Sequence, residues 1–270
     1  MGRRSSQPAD APDSGHRQAS SIKHVVGIGA SAGGLEALQE LAAHLVASGG
    51  TTYVVAQHLA PEHRSLIVDL LARSTGLTVV TAVDGAPLQP DVIAIAPPNH
   101  DVAVAGERLR LSDPLPRFGP SPCIDLLFES IAEHWGERGV AVVLSGTGSD
   151  GARGVQAVRA AGGLTLAQAP ASAKFDAMPR AAISLGGAEL VLEPAAIGGH
   201  LGTLMAAAAH GTAATTRPAF EPAGLEAVTG QLRHVSGIDF SQYKESTLRR
   251  QHEIEDETYY LKPMNCPAAM

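Results

Sequence analysis

Seven short runs of β-branched and other apolar residues, spaced along the chain with amphipathic stretches between several of them, constrain this fold most. They are 24–28 (HVVGI), 52–57 (TYVVAQ), 78–82 (TVVTA), 92–96 (VIAIA), 139–144 (GVAVVL), 164–168 (LTLAQ) and 189–192 (ELVL). Runs this apolar do not alternate in the way a half-solvated strand does; they suit strands buried on both faces, as in a parallel sheet. Parallel neighbours need long crossovers, and helices supply them. Leu35, Leu38, Leu41 and Leu45 recur at helical spacing. Ile124, Leu127, Phe128, Ile131 and Trp135 trace a second helix, with Ser121 as its expected cap and Pro122 as its first position. Val155 and Val158 mark a third, which Gly162-Gly163 stops. The expected fold is therefore α/β: a doubly wound, mostly parallel sheet with helices on both faces. Residues 101–112 (DVAVAGERLRLS) read instead as a small β-hairpin turning at Gly106-Glu107.

Composition narrows the function classes. The 270 residues carry 20 basic and 27 acidic side chains, a net charge of −7, which argues against nucleic-acid binding through global charge. Only 4% are aromatic, so the core is expected to rest on Val, Leu, Ile and Ala. No run of about 18 apolar residues occurs, and residues 1–20 lack an apolar stretch of signal-peptide type. A cytoplasmic protein without direct membrane insertion is the expectation. Cys123 and Cys266 are the two cysteines, far apart in sequence, and build neither a disulfide framework nor a Cys-rich zinc site.

Polarity divides the chain further. Residues 1–22 read as a disordered arm, 23–205 as the α/β domain and 206–224, rich in Ala, Thr and Pro, as a linker. Residues 225–250 regain helical character and end in Arg249-Arg250. Residues 251–270 open on an acidic run and form a distinct tail.

Three residues stand where strand-like runs end. Gly29-Ala30-Ser31-Ala32-Gly33 fits the G-x-S-x-G pattern of a nucleophile on a tight strand-to-helix turn, where small neighbours are required. A dinucleotide site also uses glycines at a helix N-terminus. Here the spacing is G-x-G-x-x-x-G, one position off that fingerprint, and the second strand ends in Gln57-His58 rather than in an acid for a ribose. His58 ends the run expected to lie beside that of Ser31. Asp150 follows the 139–144 run in the loop Ser145-Gly146-Thr147-Gly148-Ser149-Asp150-Gly151. Serine, histidine and aspartate at the carboxyl ends of parallel strands are the residue types of a nucleophile, its base and an orienting acid. Taken singly, His58 reads as a structural histidine and Asp150 as a turn former; their shared position raises both. His63, His100 and His134 lack ligand-spaced partners, so no metal site is expected. Cys123 reads as a buried thiol.

The stretches VVGIGASAGG, VVAQHLAPEHRSL, IAPPNHDVAV, PSPCIDLLFESIA, VVLSGTGSDGARG and SAKFDAMPRAAI follow in order across about residues 24–200. Together they resemble the catalytic domain of the CheB chemotaxis methylesterases. That resemblance implies Ser31 as nucleophile, His58 as base and Asp150 as orienting acid, with no cofactor and no metal. Ala32 and Thr147 stand where the family often has Thr and Met. As backbone oxyanion donors they would serve equally, since the donor there is main chain. The wording is closer to CheB domains fused ahead of a CheR-type methyltransferase, and LRHVSGIDFSQYKESTLRR resembles the helical start of such a methyltransferase. EIEDETYYLKPMNCP resembles a piece of threonyl-tRNA synthetase, which implies a chimeric end. The implied activity is hydrolysis of glutamate γ-methyl esters, and deamidation of glutamines, on chemoreceptors. The competing expectation is a non-catalytic scaffold or nucleotide-binding module.

Overall fold

The computed structural model describes residues 22–58, 66–114 and 121–209. In chain order the elements are β1 (His24–Ala30), α1 (Gly34–Ala43), β2 (Thr51–Gln57), α2 (Leu66–Ala72), β3 (Thr78–Thr81) and β4 (Val92–Ile95). Then come β5 (Asp101–Ala105), β6 (Arg108–Ser112), α3 (Ile124–Trp135), β7 (Gly139–Val143), α4 (Ala152–Ala160) and β8 (Leu164–Gln168). Last are α5 (Ala177–Ser184), β9 (Leu190–Leu192) and α6 (Pro194–Ala209).

All seven apolar runs enter one sheet, in the order β3-β4-β2-β1-β7-β8-β9. Every pairing in it is parallel. β5 and β6 form the separate antiparallel hairpin. From β1 the chain moves out through β2 to the β3 edge, then returns to the other flank of β1 as β7. The strand order thus reverses beside β1, the kind of switch point at which open α/β sheets form a crevice outside the strands' carboxyl ends.

Residue alternation sorts the core into two layers. Val25 and Val54 pack toward α3 and α4 together with Leu127, Phe128, Ile131 and Val155. Val26, Ile28 and Val55 pack toward the opposite face, with Leu38 and Leu41 of α1, Leu71 of α2, and Ile197 and Leu201 of α6. On the α3 side of β1 the alternation places Gly27 and Gly29. A Cβ would come within 2.6 Å of Ile131 at Gly27 and 2.3 Å of Ile124 at Gly29. α3 therefore lies directly on the backbone of β1, and its first turn reaches the end of the strand that carries Ser31.

Two expectations are corrected. α3 starts at Ile124, with Cys123 at the cap position and no local side-chain cap. Its first backbone N–H groups are satisfied by distant carboxylates instead, so Ser121 and Pro122 lie outside the helix. At the far end, α6 runs to Ala209, four residues into the stretch read as a linker from 206. Of the expected arm at 1–22, Ile22 is instead buried in the core; residues 1–21 and the segments at 210–224, 225–250 and 251–270 lie outside the described residues. Among the described residues, no helix is long and apolar enough to cross a membrane.

Candidate active site

β1 and β2 run in register as far as Ala30 and Gln57, so the next residues, Ser31 and His58, leave the sheet side by side. The His58 backbone N–H donates to Ala30 O at 3.0 Å and holds that register past the strand end. Ser31 donates its N–H to Ser145 O at 3.0 Å, which ties the turn to the end of β7. The Ser31 carbonyl accepts from Gln57 Nε2 at 2.8 Å and from Gly34 N at 2.9 Å. The turn closes through Gly33, whose φ of +67° favours glycine, and runs directly into α1. Gly146 lies against the nucleophile position: a Cβ there would stand 2.8 Å from Ser31 Cβ and 2.2 Å from Met178 Sδ.

The side chain of His58 is 8% exposed, and its Nε2 lies 3.0 Å from Asp150 Oδ2. Asp150 accepts three backbone hydrogen bonds, from Ile124 N at 2.9 Å, Asp125 N at 3.0 Å and Gly151 N at 2.9 Å, and one from Cys123 Sγ at 3.9 Å. Two of these donors are the open N–H groups at the start of α3, the positive end of that helix. Burial pushes the Asp150 carboxyl up. The hydrogen bonds from His58, Ile124 and Asp125, with the charge of His58, outweigh it and hold the group below the ordinary carboxylate value. An ionised Asp150 accepts only, so the His58 nitrogen facing it, Nε2, carries a proton, and in the neutral ring the lone pair falls on Nδ1. Nδ1 is buried and has no hydrogen-bond partner among the described residues. It is thus the nitrogen free to act as a base, with the two ring nitrogens exchanged relative to the best-known Ser–His–Asp sites, where Nε2 faces the serine. Ser31 Oγ makes no hydrogen bond to the ring; strand register alone brings the two together.

The backbone N–H groups of Ser31 and Gly146 are already engaged, the latter by Phe175 O at 2.9 Å. Those of Ala32 and Thr147 have no acceptor among the described residues. Both belong to the loops flanking Ser31.

Several polar residues that build this site are missing from the sequence reading. Ser145 is buried; its hydroxyl donates to Ala32 O at 2.9 Å and accepts from Phe175 N at 3.0 Å. Its own N–H goes to Gln168 Oε1 at 2.8 Å. Gln57, Ser145 and Gln168 share one signal: each is the first polar residue after an apolar run. Buried polar groups in such places require partners, and here those partners are the turns around Ser31. Asp101 and Asp125 are buried carboxylates around the start of α3. Asp101 accepts from Cys123 N at 2.7 Å.

The remaining sequence candidates stand apart. His100 bonds locally to Pro98 O at 3.0 Å, His134 is exposed on α3, and His63 lies outside the described residues. Burial raises the Cys123 thiol; a backbone hydrogen bond opposes this, while the charges of Asp150, Asp101 and Asp125 add to it. Among the described residues, no group of three His, Cys, Asp or Glu side chains is placed to hold a metal ion. The dinucleotide reading loses its last support, since Gln57 and His58 are both committed within the site.

A parallel α/β sheet that gathers serine, histidine and aspartate at its strand ends, beside a switch point, has the layout of a serine-hydrolase site. Residues 26–201 match the CheB methylesterase family, and the chain belongs to that family. It is 38% identical over 194 residues to protein-glutamate methylesterase/protein-glutamine glutaminase 2 of Pseudomonas aeruginosa, covering 70% of this chain and 55% of that one. A 104.1 kDa protein of Rhodobacter capsulatus is 50% identical over 120 residues, which are 44% of this chain and 12% of that one. Among solved structures, the CheB methylesterase catalytic domain of Thermotoga maritima superposes with a TM-score of 0.64 at 28% identity, covering 67% of this chain and 98% of that one. The chain spans about half the length of the methylesterase relatives it matches.

Proposed function

We propose that this protein hydrolyses glutamate γ-methyl esters on chemoreceptors in the cytoplasm and deamidates receptor glutamines at the same site. One observation carries the reading: His58 Nε2 lies 3.0 Å from Asp150 Oδ2, its Nδ1 is buried with no partner among the described residues, and Ser31 and His58 directly follow paired residues at the ends of β1 and β2. Ser31 Oγ attacks the ester carbonyl, and His58 Nδ1 takes its proton. Asp150 holds the tautomer and stabilises the imidazolium. The Ala32 and Thr147 N–H groups receive the oxyanion, a contribution worth about 10²–10³ in rate for one such donor. The intermediate collapses as His58 returns the proton to departing methanol. Water, deprotonated by His58, then attacks the acyl-enzyme; the carboxylate of glutamate leaves and Ser31 recovers its proton. For a glutamine substrate, ammonia replaces methanol, and the less electrophilic amide reacts more slowly. The names of the methylesterase relatives support both activities. No step needs a metal or an organic cofactor.

The domain reading is part of the same proposal: an arm that ends before the buried Ile22, the catalytic unit, a linker, a CheR-like segment at 225–250 and a threonyl-tRNA-synthetase-like tail at 251–270. The first boundary after the catalytic unit moves from 205 to 209 with the end of α6. A CheB-like stretch making up 12% of a much longer Rhodobacter protein is compatible with such a fused arrangement.

The test is methanol release from methyl-esterified receptor membranes. Ser31→Ala and His58→Ala should each remove nearly all activity, and Asp150→Asn should cost about 10⁴, whereas His100→Ala should cost little. Near wild-type rates in Ser31→Ala would overturn the assignment. Ammonia release from unmodified receptors should disappear in the same variant; its persistence would separate deamidation from this serine.

A further inference from the structure

Asp150 stands immediately before Gly151, the cap residue of α4, within reach of the open N–H groups of that helix. Its carboxylate bonds there only to Gly151 N. Its other lone pairs point away, to His58 and to the first N–H groups of α3. The start of α4 is served from across the helix pair. Asp125, in the first turn of α3, accepts from Gly154 N at 2.8 Å through Oδ1 and from Arg153 Nε at 3.0 Å through Oδ2. Its own backbone N–H in turn donates to Asp150 Oδ1. Each aspartate therefore caps the other's helix.

The exchange brings the two helices close. A Cβ on Gly154 would lie 2.6 Å from Phe128 Cβ and 3.0 Å from Asp125 O. Asp125 is 7% exposed, and burying a carboxylate is costly unless it is paired and hydrogen-bonded. Gly151 has no side chain to cap α4, and the Asp150 carboxylate next to it is committed to His58 and to the start of α3.

We propose that Asp125 is a positioning residue for the esterase reaction: by capping α4 from α3 it holds the Asp150 loop in place and leaves the Asp150 carboxylate free to orient His58. The role rests on the reading of Asp150 as the orienting acid. Asp125 acts only through Asp150, so its removal matters only while Asp150 is there to be positioned.

The test compares wild type with Asp125→Ala, Asp125→Asn, Asp150→Asn and the double variants, using methyl-esterified receptor membranes and enzyme in excess where rates are low. Asp125→Ala should lower kcat by about tenfold with KM unchanged, the scale of a modest misplacement of a catalytic group. Asp125→Asn keeps an acceptor for Gly154 N–H and should recover part of that loss, leaving kcat down by about threefold. In the Asp150→Asn background, neither substitution should reduce the rate further, since residues acting as a unit are non-additive. A kcat within twofold of wild type for Asp125→Ala, a change confined to KM, or a full additional loss in the Asp150→Asn background would overturn the proposal. Should Asp125→Ala fail to fold, Asp125→Asn carries the test: about a threefold loss of kcat is expected, absent when Asp150 is Asn, and an equal loss in both backgrounds overturns the role. Wild-type rates for Asp150→Asn itself would overturn the triad reading, a result distinct from each of these.

Discussion

Asp150 joins two structural tasks in one carboxylate, because it accepts from the His58 ring and from the start of α3 at once. The hydrogen bonds outweigh the cost of burial, so its folded-state pKa lies below the unfolded one. A group depressed in this way contributes stability that is complete above its unfolded pKa and is lost as pH falls through the folded value. The melting-temperature gap between wild type and Asp150→Asn should hold steady from neutral pH down to about pH 5 and narrow below about pH 4, where ordinary carboxylates protonate. A thermal-denaturation series across that range checks this; a gap that stays constant to the most acidic point would mean the carboxylate is not stabilised in its charged form. Ser31, His58 and Asp150 were legible because each directly follows, or shares a loop with, the end of an apolar run, and strand ends are where such sheets collect function. Asp125 was not. By its sequence it is an ordinary first-turn acid of α3, and its partners Arg153 and Gly154 become neighbours only when α3 and α4 pack.

At the scale of elements, the centre of the sheet was readable because strands buried on both faces cannot hide their composition. The edge strands β3 and β9 are apolar in sequence yet contain no fully buried residue, and the hairpin turn falls at Gly106-Glu107 as expected. The helices that escaped the reading have physical excuses. α2 spans only seven residues. α5 carries Pro179 in its first turn, a position where the missing N–H costs nothing. α6 buries Ile197, Leu201 and Met205 at every fourth residue, but Gly198, Gly199 and Gly202 dilute that stripe. Glycines also divide by what surrounds them, and this gives a paired prediction. Gly29→Ala forces a Cβ to within 2.3 Å of Ile124 Cγ2 and should cost about 1–3 kcal/mol through overpacking, with lower esterase activity because Ile124 begins the helix that holds Asp150. Gly199→Ala meets no atom within 4 Å and should stabilise by up to about 1 kcal/mol, as alanine does in a helix interior. Urea denaturation distinguishes them. Equal midpoints for the two variants would show that α3 does not rest on the β1 backbone.

For the whole molecule, the question is how much of the chain the catalytic unit needs. Among the described residues, the seven strands of the sheet, the hairpin and the six α-helices lie between residues 22 and 209, and the two core layers run from Ile22 to Met205. Both edges of the sheet belong to this stretch, with β3 at one and β9 at the other. Ser31, His58, Asp150, Ala32, Thr147 and the polar residues that hold them are all contributed by it as well. Nothing in the proposed chemistry calls on a side chain from 225–250 or 251–270, and the lone Cys266 cannot build a metal site without partners. Removing residues 225–270 should therefore leave kcat and KM for methyl-ester hydrolysis within about twofold and shift the melting temperature by only about a degree or two, the scale of changes that remove no buried core. Parallel assays of full-length and shortened protein on the same receptor membranes make the comparison. A fall in the melting temperature with kcat and KM intact would assign the C-terminal segments a supporting role in stability, and a rise in KM alone would place them in receptor binding. Either result would extend the functional unit past α6 and overturn the boundary drawn at residue 209.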